Sequence, residues 1–473
     1  MGRVDKQYAF RQPAVTEIEP SLIHGYIKPT TMPAALKQRN GVSPLMLGIA
    51  KSAVNSVTLP QGDLDQAVSE MITHYTAGLS GIKPRILTYD ESLNGVEGLK
   101  WVKRLNPKTS PGFPYICERT KPGKLDYLEG VPGKYKMSQR LQLEVEERER
   151  MASNGIIKDA VFVDVLKDER RELAKVNALK TRVFNTCPVD LNVVIRRYFG
   201  MFAAHIMSLN VSHETAAGIN YHSSDWEMLY RRLAANGSHW IAGDYSNYDK
   251  MFPRQLMQCV ADIANAWYGD EYTLTRVTLM ETLCCRTHLA LDELYLNIHG
   301  NPSGNPLTVI INSLGNSILM RLAWYNLSRQ WAPKEEFRFA RHVQLSVYGD
   351  DNLATVDDSC LWYNCMSIAS ELEKFGMIYT PPKTVGGDLQ PFLEESEVTY
   401  LKRFFRKENG KIFAPLVKHV IYEIPNWVRR SNDPYYAITV NIFMAQLEMF
   451  HWGKKEYNEF DSILRKACSE IGL

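Results

Sequence analysis

Tyr348-Gly349-Asp350-Asp351 joins two apolar runs, Val343, Leu345 and Val347 before it and Leu353, Ala354 and Val356 after it. Alternating apolar residues on both flanks read as two β-strands. The tetrad is then a tight hairpin turn, with Gly349 supplying the backbone freedom and Asp350-Asp351 at the tip. Adjacent carboxylates repel each other unless a cation lies between them, and hard oxygen ligands suit Mg²⁺ or Mn²⁺. Gly and Asp are also ordinary turn residues. Taken alone the tetrad is more simply a solvated turn, so its reading depends on what lies upstream.

There a second pair of carboxylates stands in Gly243-Asp244-Tyr245-Ser246-Asn247-Tyr248-Asp249. His239-Trp240-Ile241-Ala242 leads into it as a short strand, with Asp244 at the strand's C-terminal end and Asp249 after the turn toward a helix. Asp244 by itself is a turn or N-cap residue. Next to a hairpin that carries two more carboxylates, it can help hold two divalent ions roughly 3.5–4 Å apart. That arrangement activates an attacking hydroxyl and stabilises the leaving group in phosphoryl transfer.

Three motifs follow one another: Asp-x(4)-Asp at 244–249, Ser-Gly-x(3)-Thr-x(3)-Asn at 303–312, and Tyr-Gly-Asp-Asp at 348–351. In this order they resemble the palm motifs of viral RNA-dependent RNA polymerases, above all those of picornavirus-like positive-strand RNA viruses. Asn305-Pro306-Leu307-Thr308 is more similar to the insect viruses (dicistroviruses and iflaviruses) than to mammalian enteroviruses. Further motifs extend the resemblance from about Lys108 to Phe405. It implies an α+β right-hand polymerase of fingers, palm and thumb, with an antiparallel palm sheet of RRM or ferredoxin-like type and a mostly helical thumb. Transferred through the motifs, the bounds are fingers at 1–198, palm at 199–251, an inserted fingers segment at 252–300, palm again at 301–405 and thumb at 406–473.

Composition is compatible with this. A chain of 473 residues, 45% hydrophobic, can bury a large core. Its formal charge of +2 means that RNA binding must rest on local basic surfaces. Eight cysteines occur without a Cys-x-x-Cys pair, which indicates neither a zinc motif nor a disulfide framework and fits reduced thiols. No apolar run approaches the ~18 residues of a spanning helix, and no signal peptide is evident, so membrane attachment is expected only through partners. No GxxxxGK[ST], HExxH or GxSxG occurs, which leaves P-loop, metalloprotease and lipase-like readings without support. Periodicity predicts helices over 137–154, 255–285, 306–331, 361–376, 435–450 and 457–471, the first with a solvated charged face.

The stretch from Lys167 to Arg182 holds six basic and three acidic residues, a local balance of +3. Such mixed runs are usually solvated. Here Lys167, Arg171, Lys175 and Arg182 match the fingers motif that lines the family's nucleotide channel, while Arg170 has no counterpart and is expected to face solvent. A triphosphate needs cationic side chains as well as metal, and the planar fork of Arg182 suits direct phosphate contact. Asp249, Ser303 and Asn312 match the residues that read the ribose 2′-hydroxyl, with an acceptor, a hydroxyl and an amide suited to that task. Asn312 also fits a structural role inside a helix. Thr308, one turn earlier, is expected to support Asp249 or Asn312, and Gly304 to keep the Ser303 loop flexible for a moving template.

Three further resemblances are narrower. Phe375 to Lys383 is similar to the motif whose lysine protonates the pyrophosphate leaving group, although one residue fewer separates Thr380 from Lys383 than in enteroviruses. Val398 to Phe405 is similar to the primer-grip hairpin, read as a strand, with Lys402 and Arg403 holding the primer end. Lys108 to Tyr115 resembles the template-guiding loop, with Ser110 and Gly112 against RNA, although a Pro/Gly turn explains it as well.

The resemblance thus implies RNA-directed RNA synthesis, with Asp244, Asp350 and Asp351 holding two Mg²⁺ (Mn²⁺ as substitute) and ribonucleoside triphosphates added to an RNA or protein-linked primer on an RNA template. It implies release from a polyprotein, a small viral protein as primer, other viral replication proteins as partners, and work in the host cytoplasm at virus-induced membranes. A reverse transcriptase would share the paired aspartates, but Asp249 and Asn312 argue against it. A catalytically silent RNA-binding scaffold is the alternative from another class.

Overall fold

The computed structural model describes residues 2–54, 57–77, 80–332, 338–382 and 387–473. The alternation around Gly349 folds as expected. Val343–Tyr348 and Asp351–Val356 pair antiparallel, with Val343 opposite Val356 and Tyr348 opposite Asp351. Gly349, at a φ of +64° that a side chain would resist, makes the turn with Asp350. This aspartate hairpin pairs through its second strand with His239–Tyr245, which pairs on its other edge with Tyr379–Thr380. The four strands form one antiparallel sheet.

Chain order explains the sheet. A strand at 239–245, the helix Thr308–Trp331, the hairpin, the helix Cys365–Lys374 and the strand at 379–380 follow as β-α-β-β-α-β, the ferredoxin-like order. The α+β class and the palm sheet are therefore as expected. Thr308–Trp331 is buried on every side over most of its length, with Ile311, Leu314, Ile318, Leu322 and Trp324 fully covered and a polar row through Asn312, Asn316 and Arg321 buried as well, so it is a core helix and not a surface one.

Between the first strand and the long helix an insertion leaves the sheet. The single helix expected over 255–285 is two, Arg254–Tyr268 and Thr273–Cys284. They are separated where Gly269 takes the left-handed conformation that ends the first. The hairpin Arg286–Ala290 and Glu293–Asn297 then joins Gly2–Arg3, Val161–Leu166 and Val183–Thr186 in a five-stranded mixed sheet. The helix Gln139–Ser153 forms as predicted, but its charged face is not wholly solvated: Arg148 is buried, its Nε donating to Asp190 at 2.7 Å.

The C-terminal helices Pro434–Phe450 and Lys454–Glu470 pack on each other around Ile438, Met449, Phe460 and Leu464. Ile23 joins that core from the other end of the chain. Ile18–Pro20 pairs with Trp427–Arg429, the Ser21 hydroxyl donates to the Pro425 carbonyl at 2.6 Å, and the Glu423 carboxylate accepts from Thr30 and Thr31. Thr31–Pro33 then pairs with Arg170–Glu172. Residues 18–33 thus run as a strap from the C-terminal part to the basic stretch.

Candidate active site

Register brings the carboxylates together. Asn352 is opposite Gly243 on the two central strands, so the next positions along them are Asp351 and Asp244. Asp350 is at the turn beside them, and all three are half-buried. On the far side of Asp244, Thr380 pairs with it and donates its hydroxyl to the Asp244 carbonyl at 3.1 Å.

The hairpin tip is held from beneath by the long helix. The Asn316 amide donates to the carbonyls of Gly349 and Asp350, each at 3.1 Å, and reaches that of Asp351 at 3.4 Å. Its own oxygen accepts from the Tyr245 hydroxyl at 3.2 Å, and Ser313 Oγ accepts from Gly349 N–H at 2.9 Å. Asn316 and Ser313 are fully buried. The sequence reading missed both. The available signal was the position of Asn316, one turn along the same helix from Asn312.

Asp249 follows a turn through Asn247, whose φ of 56° is left-handed, and starts a short helix at Tyr248–Met251. Its carboxylate accepts from the Asn312 amide, whose oxygen accepts in turn from Asn301 at 2.8 Å. Asn305 continues the chain, donating to Asn301 at 2.7 Å. Burial raises the Asp249 carboxyl above its ordinary range, and the Asn312 bond opposes that shift. Asp249 and Asn312 therefore meet as expected, with Asn301 and Asn305 as unforeseen members of the network.

Ser303 and Thr308 are placed differently. Ser303 Oγ accepts from Asn185 N–H at 3.2 Å, and Ser303 shares only a cavity of about 50 Å³ with Asp249. Thr308 Oγ1 donates to the carbonyls of Asn305 and Pro302 at 2.8 and 3.3 Å, so it braces the loop and not Asp249 or Asn312. Gly304 is not a point of looseness. A Cβ there would lie 1.8 Å from the Asn185 carbonyl oxygen, so glycine is required by close backbone approach.

The basic stretch converges on one acid. Arg182 makes a two-armed bond to Glu169, Lys167 lies 3.3 Å from it and Arg171 3.8 Å. Burial pushes the Glu169 carboxyl up, but the Arg182 bond and the charges of Arg182 and Lys167 outweigh it and leave the group below its usual range. Arg182 stays half-exposed, and its field reaches Asp350 and Asp249. Lys175 stands apart, paired with Glu172 at 2.7 Å. Arg170 does not face solvent as expected. Its guanidinium donates to the Glu423 carbonyl across to the C-terminal part, because the strap holds that strand against it.

Two other expectations change. Val398–Phe405 is not a strand: Leu401 and Lys402 are left-handed, with φ of 53° and 61°, and Tyr400 and Arg403 close a tight turn by exchanging backbone bonds at 2.9 Å. Lys402 is exposed at its tip. Arg403 is buried, both arms on Glu448 at 2.8 Å and the guanidinium over the Tyr221 ring, so it braces the turn from inside. In the upstream loop, Ser110 Oγ accepts from Gly112 N–H at 3.2 Å and Gly112 packs on the Cys187–Pro188 backbone, which accounts for the loop structurally. Lys383 lies outside the described residues.

An aspartate hairpin, an opposed strand-end aspartate and an Asp–Asn pair now stand together, with Arg182 of the basic cluster interacting with Asp350 and Asp249. Residues 16–468 match the family described as "Viral RNA-dependent RNA polymerase". The chain belongs to that family. Its activity is RNA-directed RNA synthesis, and the family uses divalent metal ions. The chain is similar to the replicase polyproteins of Drosophila C virus (36% identity, 94% of the chain, 27% of the relative) and cricket paralysis virus (35%, 98% and 28%). It is also similar to that of acute bee paralysis virus (31%, 96% and 25%). It thus spans about a quarter of the length of these relatives, all three viruses named for insects. The fold is that of a solved "Sicinivirus 3Dpol RNA dependent RNA polymerase", with a TM-score of 0.81 over 98% of this chain and 93% of that one at 20% identity. Among the described residues no helix is long and apolar enough to cross a membrane.

Proposed function

We propose that this polymerase adds ribonucleotides from triphosphates to the 3′-hydroxyl of an RNA or protein-linked primer at the space between the aspartate hairpin and the basic cage. The observation that supports this most is the register that sets Asp351 and Asp244 side by side with Asp350 at the turn. Three carboxylates give an all-oxygen donor set, which fits hard divalent ions. Asp244, Asp350 and Asp351 would hold them, and when bound, Mg²⁺ (or Mn²⁺ in its place) supplies acidity at the 3′-hydroxyl and neutralises phosphate charge.

The chain's own residues do the rest. Asn316 and Ser313 fix the hairpin tip, so the carboxylates meet a substrate without reorganising. Arg182, with Lys167 and Arg171, offers donors to the triphosphate. Asp249 and Asn312, already bonded to each other, present an acceptor and an amide to the ribose, and a deoxyribose would leave part of that pair unanswered. Lys402, exposed at its turn, would touch the primer strand, and Lys383 would donate the proton to pyrophosphate.

The domain bounds given above are proposed for the fingers, palm and thumb, with the strap crossing between the first and the last. Release from a polyprotein with other replication proteins, a protein primer, and recruitment to host cytoplasmic membranes by partners complete the proposal. The test is primer extension on a homopolymeric RNA template with matched ribo- and deoxynucleotides, and with Asp350→Asn as control. Incorporation of ribonucleotides lost in the control supports the reading. Preference for deoxynucleotides would favour reverse transcription, and no incorporation by the unaltered protein would favour a silent scaffold.

A further inference from the structure

At the end of the aspartate hairpin farthest from Asp350, three side chains of different chemistry converge. His342 precedes the first strand, Asp357 follows the second, and Cys360 ends the short 3-10 turn after it. The hairpin itself makes the meeting. Val343 is opposite Val356, and Asp357 N–H donates to the His342 carbonyl at 3.1 Å. His342 Nδ1 and Asp357 Oδ2 are 2.5 Å apart, and with Cys360 Sγ the three ligand atoms all lie within 4.8 Å of one another. Cys360 is fully buried, the other two half-buried.

The surroundings orient the set. The Trp324 ring stacks on His342 at 6.0 Å and 18°. Asp357 Oδ1 accepts from the backbone and hydroxyl of Ser359, which turns Oδ2 toward the imidazole. Nitrogen, oxygen and thiolate sulfur together are the donors zinc takes, whereas Mg²⁺ avoids sulfur.

We propose that His342, Asp357 and Cys360 form a Zn²⁺ site, with a fourth position open to water, that clamps the base of the aspartate hairpin. The ion replaces the proton shared by Nδ1 and Oδ2, the imidazole carries its proton on Nε2, and the Cys360 thiol releases one proton to solvent. Six residues per strand put the site ~20 Å from the turn. The ion therefore serves the hairpin's anchorage and takes no part in nucleotidyl transfer. Cysteine spacing in the sequence does not reveal it, because only one ligand is a cysteine and the others flank two strands.

Co²⁺ titration of the whole protein in excess Mg²⁺ separates this site from the aspartates, since only a thiolate ligand gives sulfur-to-cobalt charge-transfer absorption. The expected result is one equivalent of Co²⁺ with that band, displaced by Zn²⁺, and a higher Tm with Zn²⁺ bound. Cys360→Ser should abolish the band, and it and His342→Gln should each weaken Zn²⁺ binding at least about 100-fold, more than the loss of an outer partner costs. Cys468→Ser, at a half-exposed thiol elsewhere, should change nothing. No charge-transfer band in the unaltered protein, a band that survives in Cys360→Ser, or a Tm that Zn²⁺ does not raise would each overturn the proposal. The trio would then be a hydrogen-bonded pair beside a packed thiol.

Discussion

The acidic and basic walls of the site hold like charges together by opposite means. On the acidic wall neutral groups brace the backbone and one carboxylate: Asn316 and Ser313 on the hairpin tip, Tyr245 on Asn316, Asn312 on Asp249. On the basic wall the support is itself a charge, Glu169, gathering Lys167, Arg171 and Arg182. Amides and hydroxyls fix geometry without bringing a counter-charge of their own. A counter-ion fixes geometry by discharging part of the attraction in advance, so a triphosphate must compete with Glu169 for Arg182. One wall is built for a tightly placed ion, the other for a ligand that arrives and leaves each cycle.

The harshest way to break this contrast is to remove acidic charge. Asp350→Asn or Asp244→Asn should lower nucleotide addition at least about 1,000-fold at saturating Mg²⁺, as expected for several kcal/mol of lost metal-centred stabilisation. Activity within tenfold of the unaltered enzyme would remove that residue from the site. Next comes the neutral support. Asn316→Ala leaves buried carbonyls without their donor, a cost of about 1–3 kcal/mol, so kcat should fall roughly 5- to 150-fold with nucleotide KM little changed. A lower Tm with kcat intact would make Asn316 a folding residue only.

Sugar selection sharpens the contrast further. Asn312→Ala should reduce ribo-over-deoxy discrimination in kcat/KM by roughly 5- to 150-fold, whereas equal losses for both sugars would assign Asn312 to helix packing alone. On the basic wall effects should be smaller, because Arg182 is half-exposed and screened. Arg182→Ala should raise nucleotide KM about tenfold. Arg170→Ala should leave KM alone and lower Tm, since its partner is the Glu423 carbonyl. Matching effects on KM would mean that the two arginines are not distinguished by the site.

The smallest effect is on acid stability. Further along the long helix, buried Arg321 holds Glu214, whose backbone carbonyl accepts from Val347 N–H at 2.7 Å. Burial works to raise the Glu214 carboxyl, but the charge and bonds of Arg321 bring it down to about 2. A depressed acid stabilises the fold above its unfolded pKa of 4.5 and loses that contribution as pH falls toward about 2. Tm measured from pH 6 to 3 should therefore drop more steeply in the unaltered protein than in Glu214→Gln, which should be less stable near neutrality. Parallel curves would exclude Glu214 from the acid limb.

What was legible in the sequence was local. Alternation around Gly349 and the strand before Asp244 depend on neighbours along the chain, and both folded as read. The helices after residue 434 did too. What was not legible depended on partners far away. Arg403 turns inward because Glu448 waits 45 residues later, and Arg170 because the strap carries Glu423 to it. Apolar alternation over Val398–Phe405 could not announce two left-handed residues in a row. Gly304 was read for its freedom, yet Asn185, more than a hundred residues earlier, is the reason it is glycine. Motif residues were found by pattern, and the groups that hold them only by packing.

The strap has a mechanical consequence. Ile18–Pro20 on Trp427–Arg429, Ser21 on Pro425 and Thr30 on Glu423 stitch the two ends of the chain together on one side, while Thr31–Pro33 fastens the same segment to the basic wall. A hand stitched in this way cannot be prised open without tearing several seams at once.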